Sequence, residues 1–165
     1  MKKAPTLMIL CAIPATIITL QVAALAKRVG FDCVVVDARA EYASAERFPE
    51  ASRRIVADPG TVAEALAVTD RDYIVIVTPA HHDDYQVLRG VIRKPARYIG
   101  MIGSRTKRAQ IYDTLRATDG VPEDLLRKVH SPIGVAIGSE TPEEIAVSIV
   151  AELIQVRRSP PPPTP

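Results

Sequence analysis

Hydrophobic positions fall along these 165 residues in short unbroken runs separated by polar or glycine-proline breaks. Leu7 to Ile13, Cys33 to Asp37, Arg54 to Ala57, Tyr73 to Val77 and Ala96 to Ile102 are each too short for a helix, and most are rich in Val or Ile. That pattern predicts strands buried on both faces. Between them, Ala15 to Val29, Thr61 to Val68, Tyr85 to Ile92 and Arg105 to about Ala117 carry helical patterning, the first closed by Gly30 as its C-cap. A turn at Asp119-Gly120-Val121-Pro122 leads to a short helix, Glu123 to Arg127, and Val129 to Gly138 reads as a glycine-punctuated loop or distorted strand. The last helix starts at a capping box, Thr141-Pro142-Glu143-Glu144, and runs on an apolar face of Ile145, Ala146, Ile149, Val150, Leu153 and Ile154. Alternating strands and helices predict an α/β/α sandwich of three layers around a mainly parallel sheet. One domain over residues 1–158 accounts for all of this, and the proline-rich tail 159–165 cannot join its core.

In such a sheet the carboxyl ends of the strands face the ligand crevice, and three of them carry polar residues. Asp37, with Arg39 two residues on, ends the second strand where a dinucleotide-binding βαβ unit contacts a ribose, so the layout is Rossmann-like. The glycines of the usual phosphate turn are missing, however. Ala12-Ile13-Pro14-Ala15-Thr16-Ile17 stands there, and Pro14 has no amide to offer, which disfavours NAD(P) in the standard pose. The fourth strand runs into Thr78-Pro79-Ala80-His81-His82-Asp83-Asp84, where Thr78, His81 and Asp84 are candidate ligand contacts; the same residues also read as a helix cap by Asp83 or Asp84 with exposed histidines. The fifth strand opens through Gly103 and the N-cap Ser104 into a helix whose first turn holds Arg105, Lys107 and Arg108. Cations there oppose the helix dipole, so an anionic ligand would relieve them, although a plain capped helix with solvated basic residues fits the pattern too.

Composition narrows the choice. Aromatic residues make up 4% of the chain with no Trp, and the net charge is +2, which argues against a nucleic-acid partner. Cys11 and Cys33 lie in apolar runs and read as reduced core thiols, and His81, His82 and His130 are too scattered to specify a metal site. Lys2 and Lys3 before the uncharged stretch Leu7 to Ala26 resemble a signal peptide or membrane span, but Pro14 divides that stretch into a strand and a helix of the sheet pattern. A cytoplasmic protein without membrane contact is expected.

Four blocks carry a resemblance: Glu46-Arg47-Phe48-Pro49, Tyr98-Ile99-Gly100-Met101-Ile102-Gly103-Ser104, Pro132-Ile133-Gly134 with Gly138, and Thr141-Pro142-Glu143-Glu144-Ile145-Ala146 continuing to Glu152. Through them the chain resembles the C-terminal Rossmann-like domain of the XdhC/CoxI family, the xanthine dehydrogenase accessory proteins. The resemblance implies a non-catalytic chaperone that binds molybdenum cofactor, protects it during sulfuration and hands it to a molybdenum hydroxylase such as xanthine dehydrogenase. It places cofactor contacts at Gly100, Met101, Gly103 and Ser104 and at Pro132, Gly134 and Gly138, to which Arg105 is added on grounds of charge. Molybdopterin is a phosphorylated pterin, so the basic helix start suits it. Family members commonly carry a glycine-rich turn with a following His after the first strand and Thr-His after the fourth, where this chain has Pro14-Ala15-Thr16-Ile17 and Thr78-Pro79. The family's separate N-terminal domain has no counterpart here, so a second polypeptide completing the site, a sulfur donor and a homodimer are all expected partners. An NAD(P)-binding oxidoreductase domain and a degenerate interaction domain without ligand are the competing readings.

Overall fold

A computed structural model describes residues 4–11, 17–78 and 80–160. Pro14, Pro79 and the end of the tail therefore lie outside the described residues. Six parallel strands form one sheet: β1 (Thr6–Cys11), β2 (Asp32–Asp37), β3 (Arg53–Val56), β4 (Tyr73–Val77), β5 (Tyr98–Met101) and β6 (Val129–His130), in the order β3-β2-β1-β4-β5-β6. The helices are α1 (Ile17–Arg28), α2 (Val62–Ala65), α3 (His81–Val91), α4 (Arg105–Asp119), α5 (Glu123–Arg127) and α6 (Pro142–Arg158). Among the described residues no helix is long and apolar enough to cross a membrane.

The unbroken apolar runs arise because both faces of the sheet are covered. Successive residues of a strand point to opposite faces, so Leu7, Ile9, Cys33, Val35, Tyr73 and Val75 pack under α1 and α6, while Met8, Leu10, Val34, Val36, Ile74 and Ile76 pack under α2, α3, α4 and α5. Each of these side chains is buried, at about 1.5–3 kcal/mol apiece for the larger aliphatic ones. The expected three-layer, Rossmann-like architecture is what forms, with a sheet that is wholly parallel. Strand order reverses between β1 and β4, whose ends align through Cys11 opposite Val77, and this fixes the crevice at the carboxyl ends of the strands.

One local expectation needs correction. Helix α3 begins at His81, four residues ahead of the predicted Tyr85, and its N-cap Ala80 offers no side-chain bond. Asp83 and Asp84 are thus inside the first turn, and Asp84 is turned into the protein by tertiary partners instead of capping the helix. The segment after Lys128 makes only the two-residue strand β6 before turning at a cis Ser131–Pro132 bond and the left-handed Gly134. The caps at Ser104 and Thr141 are as expected: Ser104 Oγ accepts from Lys107 N at 3.2 Å, and Thr141 and Glu144 complete a capping box.

Candidate functional site

At the end of β4, Thr78 and Asp84 are both buried, and Thr78 Oγ1 donates to Asp84 Oδ1 at 2.5 Å. The other carboxylate oxygen forms an ion pair with Lys107 Nζ from the first turn of α4. Gly103 makes this reach feasible. Its φ of +146° lies in the region that favours glycine, and a Cβ there would stand 3.0 Å from Lys107 Cδ, in the path of the lysine stem. Burial pushes the Asp84 carboxyl up, while Lys107 and Thr78 pull it back down. The basic start of α4 is therefore less frustrated than its sequence predicts, since Lys107 is answered by Asp84 and Arg108 donates to Ser131 O. Arg105 remains exposed, with no ion pair among the described residues, beside Ser104. His81 is exposed on the first residue of α3.

The tip of β2 is different. Asp37 is fully buried; its Oδ1 accepts from Arg39 N at 3.0 Å, and its Oδ2 is shut from solvent with no hydrogen-bond partner. Burial raises this carboxyl above the ordinary range, against the pull of the Arg39 amide and guanidinium. The Arg39 guanidinium lies 4.2 Å from the centre of the Tyr42 ring, a cation–π contact, and its Nη2 is likewise buried without a partner.

A third carboxylate, Glu152 on α6, gathers the loop that follows β6. Tyr98 Oη donates to Glu152 Oε2 at 2.5 Å, Gly134 N to the same oxygen at 2.8 Å, and His130 Nδ1 lies 2.9 Å from Oε1. Burial works to raise Glu152, but the bonds from His130, Tyr98 and Gly134 outweigh it and hold the group below the usual carboxylate value. Burial and the neighbouring Glu152 drive the Tyr98 phenol well above its ordinary range. The Tyr98 ring also lies 4.5 Å from the His130 ring and 6.1 Å from that of Tyr73. Among the described residues no group of three His, Cys, Asp or Glu could hold a metal ion.

With that geometry in view, the family described as XdhC Rossmann domain matches residues 10–153. The chain belongs to the XdhC Rossmann domain family. A relative from Bacillus subtilis (strain 168), named as a probable xanthine dehydrogenase subunit, is 35% identical over 136 residues, covering 81% of this chain and 38% of the relative. "Uncharacterized protein YqeB" of Escherichia coli (strain K12) is 33% identical over 141 residues, 85% of this chain and 26% of the relative. A crystal structure described as a xanthine dehydrogenase from Bacillus halodurans superposes with a TM-score of 0.80 at 32% identity, covering 94% of this chain and 43% of that one. The chain thus spans about a quarter to two-fifths of the length of these relatives.

Within this XdhC Rossmann domain the candidate residues separate into three places. Thr78, Asp84, Gly103, Ser104 and Arg105 gather around the ends of β4 and β5, with His81 at the start of α3, and Asp37 sits apart at the end of β2. Gly100, Met101, Pro132, Gly134 and Gly138 belong to β5 and the loop after β6. A Cβ on Gly100 would stand 2.5 Å from Tyr98 Oη and 2.6 Å from Ile133 Cδ1, and one on Gly134 would overlap Ser148 of α6, so both glycines make room for the protein's own side chains. Met101 is buried in the core under α3 and α4, Pro132 is exposed, and Gly138 takes φ +72° with open space around it. Sequence reasoning missed Lys107 as the partner of Asp84, and Glu152 altogether. Its one available signal was an acid in the middle of α6's apolar face, between Val150 and Leu153.

Proposed function

We propose that this chain is an accessory protein to a molybdenum hydroxylase of the xanthine dehydrogenase type, and that it holds molybdenum cofactor at the carboxyl end of its sheet. The observation that carries the reading is the XdhC Rossmann domain match over nearly the whole described chain, supported by a relative named for xanthine dehydrogenase at 35% identity. The residues present suit a phosphorylated pterin. The start of α4 offers the cap hydroxyl of Ser104, free helix amides and the exposed cation Arg105, all next to the Asp84–Lys107 pair. Arg105 would bind the phosphate, Ser104 would orient it, and Thr78 with Asp84 would keep Lys107 fixed at the rim. The bound cofactor supplies the molybdenum centre that the partner hydroxylase needs; the chain's own part is to bind it and shield it from water. Such a role requires no nucleophile or general base. A partner polypeptide, whether the hydroxylase itself or an XdhC N-terminal-type domain, would cover the outer face of the bound group.

The test is to incubate the purified chain with freshly released cofactor, gel-filter, oxidise, and read pterin fluorescence in the protein fraction. Near-stoichiometric pterin, reduced about tenfold by Arg105→Glu for the loss of one charge-assisted contact, supports the reading. Pterin absent from the wild-type fraction, with and without apo-hydroxylase, sinks it.

A further inference from the structure

Several basic side chains of α3 and α4 meet carboxylates: Arg89 pairs with Asp119, Lys107 with Asp84, and Arg116 with Asp113 and Glu123. Around the amino ends of β5 and β6 the pattern breaks. A cavity of about 360 Å³ opens there, between the α3–β5 connection and the end of α5, at the end of the sheet away from the crevice. Its size lies within the range of small-molecule pockets, about 300–1,000 Å³. Ile92, Ile99, Leu125 and Val129 give it an apolar lining, and Lys94, Arg97, Arg127 and Lys128 line it as well. Among the described residues no Asp or Glu lines it. These cations are not neutralised from outside either. Lys94 Nζ donates to Leu66 O, Arg97 Nη2 donates to Val156 O and Ser159 O, and Lys128 has no ion pair among the described residues. Arg127 reaches Glu123 at 3.6 Å, and that carboxylate is already held by Arg116 at 2.9 Å. Carbonyl oxygens satisfy donors without cancelling their charge, so the cavity keeps a positive potential over apolar walls. His130 completes the lining; Glu152 holds its Nδ1 and the Tyr98 ring lies 4.5 Å from its own, which fixes the plane of the imidazole. Fixed rings and guanidinium groups stack on aromatic faces. We propose that this cavity is a second binding site, for a small aromatic acid, with the ring body against the apolar lining and the carboxylate among Lys94, Arg97, Arg127 and Lys128. The apolar walls disfavour a bare inorganic anion, and the uncancelled charge disfavours a neutral or cationic ring. The site is separate from the crevice proposed for the cofactor, and the inference does not rest on the cofactor-holding role.

The experiment is a backbone-amide NMR titration of the purified full chain, free of molybdenum cofactor, with 2-naphthoate, 2-naphthylmethanol and inorganic phosphate. The acid is expected to bind with Kd at or below about 1 mM, shifting the amides of residues 92–99 and 125–130. The alcohol keeps the rings without the charge, and phosphate keeps the charge without the rings. Each is expected to bind at least about tenfold more weakly than the acid. Arg127→Glu combined with Lys128→Glu is expected to weaken the acid at least about tenfold. Lys27→Glu combined with Arg28→Glu makes the same change of net charge at the end of α1 and is expected to leave Kd within about twofold. No binding of the acid at about 10 mM, or shifts centred instead on residues 78–84 and 103–107, would overturn the proposal. So would an alcohol or phosphate bound as tightly as the acid, or two double variants with the same Kd. All four substituted residues are exposed, and the comparison of ligands on the wild-type chain decides the question even if a variant fails to fold. With no molybdenum cofactor present, either result leaves the pterin experiment to stand or fall by itself.

Discussion

Glu152 and Asp37 are both carboxylates taken into the interior, and they resolve the cost of burial in opposite ways. Glu152 receives three partners on its two oxygens, and these hold it below the ordinary carboxylate range in spite of burial. Asp37 receives one backbone amide on one oxygen and is pushed up by burial. A satisfied carboxylate ties elements together, whereas a half-satisfied one weakens the fold. Glu152 joins β5, β6, the loop through Gly134 and helix α6.

The largest effect that would break this contrast is at Glu152. Glu152→Ala strips the partner from the buried Tyr98 hydroxyl and the Gly134 amide, and is expected to cost about 4 kcal/mol of unfolding free energy, with faster amide exchange over residues 131–138. Urea titration and hydrogen exchange measure both. A loss below about 1 kcal/mol would show that packing of the loop, not the carboxylate, holds it.

Asp84 stands between the two cases, fully buried yet paired with a lysine that comes from another helix. Lys107→Met removes the counter-charge and is expected to cost about 2–4 kcal/mol, the range for a buried pair broken from one side. Adding Asp84→Asn to that variant should return most of the loss, because the uncompensated charge goes with it. A double variant no more stable than the single one would mean that Lys107 contributes through the packing of its stem near Gly103 and not through charge.

These three carboxylates also mark what the sequence could and could not disclose. Runs of Val and Ile between helical segments were enough for the layered fold, since a strand covered on both faces must be apolar throughout. Thr78, Asp84 and Asp37 were legible as candidates because a parallel sheet puts the ends of its strands at the crevice. Lys107 was legible only as a cation opposing a helix dipole. Its partner is 23 positions earlier in the numbering, and the pairing depends on the backbone freedom of Gly103 and on α3 starting early enough to turn Asp84 inward. Glu152 was hidden for the opposite reason: its three partners come from three separate segments, and no local pattern announces such a meeting. Gly134 of the late loop and Gly100 of β5 were both expected to touch the cofactor, and at these two positions the space is taken by Ser148 and by Tyr98 and Ile133.

The pH dependence sharpens the contrast at smaller magnitude. Because the folded chain holds Glu152 below the usual value, the unfolded chain binds more protons in the interval between the two, and stability rises with pH across it. The contribution is complete above the ordinary glutamate value and is lost as pH falls through the folded one. Glu152→Gln should therefore be less stable than wild type at neutral pH by about 1–2 kcal/mol and should converge on it in acid. A difference that stays constant with pH would assign the effect to geometry and not to charge.

Asp37→Asn is the smallest change and runs the other way. The amide keeps an oxygen for Arg39 N and carries no charge, so the burial cost of the carboxylate disappears. Since the folded chain raises Asp37, the folded state holds the proton more strongly than the unfolded one; the stability this confers is full below the ordinary aspartate value and is lost as pH rises through the folded value. Wild type and Asp37→Asn should thus unfold at similar temperatures in acid and separate on going to neutral pH, with the variant ahead by about 1 kcal/mol. Thermal unfolding at a series of pH values measures it. Equal curves at neutral pH would mean that Asp37 costs the fold nothing. A variant less stable than wild type at neutral pH would make Asp37 a structural group of the same kind as Glu152 and erase the distinction between them.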